Sequence, residues 1–142
     1  TGIAHVPNLP QIRVHAGEGR YDLQLTVFKA MAERQISVDF INVNPSGVVY
    51  TVFGKDGEHA VRALKEIGHE PEFFPDCAKI AVIGGGMSGV PGIMAKIVES
   101  LTEEDIPILQ SADSSSSIWV LVRQTDMERA VRALHKKFEL HK

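Results

Sequence analysis

Apolar residues recur at helical spacing in four stretches of the chain. Leu23, Val27, Ala30 and Met31 follow the i, i+4, i+7, i+8 rule, which predicts a helix from Asp22, placed as its N-cap, to about Arg34. Ala60, Val61, Leu64 and Ile67 mark a second helix, capped by Asp56 and stopped by Gly68. Met94, Ile97, Val98 and Leu101 mark a third, with Pro91 near its first helical position, where a missing N–H is harmless. Met127, Ala130, Val131, Leu134 and Phe138 mark the fourth, opened by Thr125 and Glu128 at capping-box spacing. Between them lie short apolar or alternating runs that read as strands: Gln11–His15, Val38–Asn44, Val48–Phe53, Lys79–Ile83, Ile106–Ala112 and Ile118–Val122. Glu72–Phe74 is a candidate closing strand that Pro71 and Pro75 keep short or at an edge.

The pattern is written twice. Ala60-Val61-Arg62-Ala63-Leu64 returns as Ala130-Val131-Arg132-Ala133-Leu134, an offset of 70 residues, and the apolar strand positions travel with it. Each copy reads β-α-β-β-α with a closing strand possible. Middle strands joined by a few residues must pair antiparallel, and a helix between the first and second strands makes those two run parallel. The fold expected is therefore α+β: tandem ferredoxin-like βαββαβ sandwiches with antiparallel sheets and helices on one face. The copies are placed at residues 8–76 and 77–142, and exchange of the closing strands between them stays open.

Bulk properties narrow the chemistry. The 142 residues are 44% hydrophobic and 23% charged, with a formal charge of −3. That balance fits a globular protein and offers no basic field for nucleic acid. No apolar run suits a membrane helix, and the lone Cys77 fits a reducing compartment. The chain opens at Thr1 rather than methionine, as a piece of a longer protein would. The six histidines show no chelating spacing with Cys77, so a solvated role is expected and no metal site. Tyr50 and Trp119 are expected to pack at equivalent strand positions.

Gly84-Gly85-Gly86-Met87-Ser88-Gly89 satisfies G-x-G-x-x-G between a strand and a helix. A dinucleotide fold needs successive parallel βαβ units, whereas here the second strand turns straight back, so nucleotide binding is the minor reading. Free N–H groups at a helix start also suit any carboxylate, including that of an amino acid.

Gly84-Gly85-Gly86-Met87, Pro91-Gly92-Ile93, and Ala130 to His135 with Phe138-Glu139-Leu140 closely resemble the C-terminal regulatory region of aspartate kinases. In the first copy, Phe28-Lys29-Ala30-Met31-Ala32-Glu33 and Ile36-Ser37-Val38-Asp39 resemble the same family at lower fidelity. Its tandem modules are ACT domains, which usually bind amino acids. The resemblance implies a cytoplasmic, homodimeric regulatory region. It would bind an end product such as lysine, threonine or diaminopimelate and inhibit an attached aspartate kinase catalytic domain. ATP and magnesium would belong to that kinase part, so this chain needs no cofactor. A dimerisation module without ligand is the alternative.

Effector residues carried over by the resemblance are Gly89, Val90, Pro91, Gly92 and Ile93 before the third helix, with Ile108 and Gln110 from a strand. The matching places of the first copy are Gly19, Arg20 and Asp22, with Ser37, Val38 and Asp39. Asp113 in the serine-rich turn could meet a cationic side chain. Three departures stand out. Tyr21-Asp22 replaces the loop's Pro-Gly, setting an acid where a carboxylate would dock, and Pro107 replaces an asparagine, removing a backbone donor. Asp113 with Ser114 to Ser117 replaces the family's usual T-S-E stretch.

Overall fold

The computed structural model describes residues 2–16, 22–84, 91–114 and 116–138. Its elements are β1 (Gly2–Val6), β2 (Gln11–His15), α1 (Leu23–Glu33), β3 (Asp39–Asn44), β4 (Gly47–Thr51), α2 (Gly57–Glu66), β5 (Glu72–Phe74), β6 (Cys77–Ile83), α3 (Ile93–Glu103), β7 (Gln110–Asp113), β8 (Ser117–Arg123) and α4 (Met127–Lys137). The chain divides into two compact units, Asn8–Asp76 and Thr1–Pro7 with Cys77–Lys142. The first is thus an insertion in the sequence of the second. We call them the inserted and the split module.

Each module is a four-stranded antiparallel sheet carrying two helices. Strand order is β3-β4-β2-β5 in one and β1-β6-β8-β7 in the other. β2 and β3 run the same way, as their crossover helix requires, but β4 lies between them and bonds to both. Alternation decides the inward face. Ile12, Val14, Val48 and Tyr50 meet Leu23, Val27, Met31, Ala60 and Leu64 in the inserted module. Ile80, Val82, Val120 and Val122 meet Ile97, Leu101, Ala130 and Leu134 in the split one. Fully burying each Val, Leu, Ile or Met side chain among these stabilises by roughly 1.5–3 kcal/mol.

The strand missed in the sequence is β1. Its Ile3 pairs with Val82 and its Val6 with Lys79, so it fills the sheet edge beside β6 that β5 fills beside β2. Ile3 packs on the split module's core. The start of the chain therefore closes the second copy's sheet.

β3 carries a bulge. Asp39 opposes Thr51, but Asn42 opposes Val49, a slip of one residue. An unbroken register would set Asp39 opposite Val52, a core residue. The extra residue keeps the acid off the core face, at the expense of a left-handed Phe40 with φ of 53°.

Several expectations need correction. Ile67 and Val98 are 40% and 41% exposed, outside the cores. Thr125 does not cap α4; a 3-10 turn over Gln124–Asp126 leads into the helix and Asp126 is its N-cap. Gly54–Asp56 does the same before α2, and neither aspartate makes a side-chain capping bond. The strand expected at Ile106 begins only at Gln110, because Pro107 has no N–H to give a ladder. Trp119 matches Val49 rather than Tyr50: it opposes Ala81, with the Lys79 ammonium 4.7 Å from its ring, while Tyr50 opposes Ile12 in the core. Among the histidines, His69 is buried with Nε2 3.4 Å from Thr26 Oγ1, and His15 contacts Glu72.

Candidate functional site

The start of α3 is built to present backbone donors. Its N-cap is Gly92, left-handed at φ 86°, and the first intrahelical bond runs from Lys96 N to Gly92 O at 3.0 Å. The amides of Ile93, Met94 and Ala95 therefore lie ahead of the helical ladder, where the helix dipole favours an anion. Pro91 and Gly92 are exposed, whereas Ile93 packs on the core and fixes the helix start. Glycine meets the φ requirement that a side-chain residue would resist by roughly 1–2 kcal/mol. Gly89 and Val90, with the rest of the glycine-rich run after Gly84, lie outside the described residues.

Asp113 belongs to this end of the module. β7 and β6 are both antiparallel to β8, so their C-terminal ends coincide. Gly84 N donates to Ser116 O at 2.9 Å, tying the end of β6 to the serine-rich turn. Within that turn Ser114 and Ser117 share a 2.8 Å hydroxyl bond, and Trp119 Nε1 donates to Ser117 Oγ at 3.2 Å. Exposed Asp113, opposite Ile118, is left at the rim. Ile108 and the 8% exposed Gln110 sit at the other end of edge strand β7.

The inserted module repeats this division. Asp22 is the N-cap of α1, and its carbonyl accepts from Thr26 N at 3.0 Å. Gln24 Nε2 reaches Asn44 O at 3.5 Å, so the helix start adjoins the β3–β4 turn. Ser37, Val38 and Asp39 follow the far end of the helix, 11 residues or roughly 16 Å away. Asp39 O is bound there by Thr51 Oγ1 at 3.2 Å. No single module brings its own helix start onto its own Ser37–Asp39 or Ile108–Gln110 strand segment. Gly19 and Arg20 lie outside the described residues.

Sequence reasoning missed one polar group. The Tyr50 hydroxyl is buried without a hydrogen-bond partner, and burial pushes its phenol pKa up. Its signal was available: a tyrosine at a position where the second copy has Val120. Among the described residues, no helix is long and apolar enough to cross a membrane.

Residues 72–136 match the family model of the ACT domain. The whole chain is 54% identical to aspartokinase 1 of Bacillus subtilis (strain 168) over 142 residues, spanning 35% of that protein's length. It superposes on a chain of a crystal structure of aspartokinase alpha and beta subunits with a TM-score of 0.90 and 31% identity, covering 98% of both chains. The ligand-free regulatory subunit of aspartate kinase from Thermus thermophilus gives a TM-score of 0.88 at 29% identity, covering 96% of both chains.

Proposed function

This chain belongs to the aspartokinase family, as its C-terminal regulatory ACT-domain part, and from that premise we propose that it senses an amino-acid end product and restrains an attached kinase. The observation that carries this reading is the exposed Pro91-Gly92 entry to α3, with its first-turn amides ahead of the helical ladder. Those amides, with Gly89, Val90 and Ile93, suit an α-carboxylate. Edge-strand carbonyls at Ile108 and Gln110, supplied by the matching module of a second chain, suit the α-ammonium. Asp113 at the same rim suits a cationic side chain, which favours lysine or diaminopimelate over threonine. The reading takes that strand segment from a second chain and so implies a homodimer.

The equivalent place in the inserted module, at Gly19, Arg20 and Asp22 with Ser37, Val38 and Asp39, is the weaker candidate. There Asp22 sets a carboxylate where the ligand's own would dock. The protein acts in the cytoplasm beside the pathway it regulates. A coupling of roughly 1–3 kcal/mol between effector and kinase suffices for useful inhibition.

The test is a calorimetric and thermal-shift titration of the chain with lysine, threonine and meso-diaminopimelate. Saturable stabilisation by one of them is expected. Silence with all three, from a chain that still dimerises, overturns sensing in favour of a dimerisation module.

A further inference from the structure

We propose that the inserted module carries a second small-molecule site, a cleft beside the start of α2 that takes a free amino acid or a similar ammonium carboxylate. The cleft has a volume of about 390 Å³, with Pro10, Gly54, Lys55, Glu58, Phe73 and Asp76 in its lining. It lies where β2 begins and β5 ends, at the β5 edge of the sheet, whereas Ser37–Asp39 belong to the β3 edge.

Two glycines shape it. A Cβ on Gly57 would lie 2.9 Å from Pro10 Cγ and 3.0 Å from the Phe73 ring, and one on Gly54 would lie 3.1 Å from Asn8 O. The bare backbone of Gly57 lets the helix entry settle onto Pro10 and Phe73, and that of Gly54 lets the turn lie against Asn8. The duplication shows that the fold does not demand this. At the same two places the second copy has Gln124 and Met127, and Met127 packs on its core. The inserted module thus brings Pro10 and Phe73 up against the helix entry, as the cleft's apolar wall, where its twin has a side chain instead.

The lining matches one ligand class. Phe73 and Pro10 give an apolar floor, and exposed Lys55, Glu58 and Asp76 give a rim of one cation and two carboxylates. A ligand with an ammonium, a carboxylate and a short apolar stem satisfies both signs at once. The volume suits a molecule of that size with a few waters. This site stands apart from the effector reading and does not depend on it.

Amide NMR titration of the chain with L-lysine separates the two. Saturable shifts at Gly54, Gly57 and Glu58 are expected, weakened about tenfold in Lys55→Gln and in Asp76→Asn, each of which removes one charged contact. These two exposed positions leave the core intact, and unchanged spectra elsewhere check that. Cadaverine, without the carboxylate, and hexanoate, without the ammonium, should each shift the same amides far less. Shifts confined to Gly92, Ile93 or Asp39 overturn the cleft while leaving the effector reading intact. Equal response to hexanoate or cadaverine overturns it too.

Discussion

Gln35 and Asp105, seventy residues apart, hold the same left-handed backbone, with φ of 56° at each. Each stands just past a helix end. Ile36 N reaches back to Met31 O, and Ile106 N to Leu101 O, both at 2.9 Å. α2 ends the same way through Gly68 at φ 92°, with His69 N on Leu64 O at 3.0 Å. Three helices share one stop, and only one of them uses the residue that adopts it freely.

Gln35→Gly and Asp105→Gly should therefore each stabilise by about 0.5–1 kcal/mol, after the glycine's larger unfolded-state entropy is subtracted. Asp105→Gly also removes an acid from a helix C-terminus, where it is unfavourable. Gly68→Ala should lose about 1 kcal/mol through backbone strain alone, because nothing lies within 4 Å of the added Cβ. Urea denaturation of the three variants checks the signs.

Tyr50→Phe should be neutral or stabilising by up to about 1 kcal/mol, since it deletes a buried hydroxyl that has no partner. The folded-state pKa is raised, so this tyrosine's contribution is complete below the ordinary value of 10.0 and is lost as pH rises beyond it, where only the unfolded chain ionises. Stability measured at about pH 8 and about pH 11 should fall less in the variant than in the parent.

Gly47→Ala should be among the most damaging single changes, costing more than about 2 kcal/mol. The added Cβ would lie 2.2 Å from Val14 O, and a main-chain atom of the paired strand cannot swing aside. Hydrogen exchange should rise through β2, β3 and β4 while β6 and β8 keep their protection.

Gly92→Val should shrink the effector-induced thermal shift, by crowding the first-turn amides and forcing φ away from 86°. Asp22→Asn should act oppositely, removing the charge that disfavours a ligand carboxylate at α1. Isothermal titration of both variants reads the two effects; equal affinities in parent and Gly92→Val would contradict the assigned role.

How much could be read beforehand depended on how local each signal was. All four helices were legible because each carries a full apolar stripe, and Glu72–Phe74 was bracketed by its prolines. β1 was not, because five residues with a partner strand more than seventy positions away leave no local trace. The bulge at Phe40 had a trace, the odd spacing of Asp39 and Asn42, which only the pairing with Thr51 and Val49 makes readable. Pro91 and Gly92 were legible as a motif. That Asp113 shares their end, while Ile108 and Gln110 do not, follows from the direction of β7, which no single stretch encodes.

Because Val6 sits directly across from Lys79, the entire Asn8–Asp76 module serves as the connector between two adjacent strands. Its point of departure and point of return are therefore neighbours, so it could be lifted out and the chain rejoined by a short tether. The remainder would keep its four strands and both helices. A protein wired this way can lose, gain or trade one module without disturbing the sheet of the other.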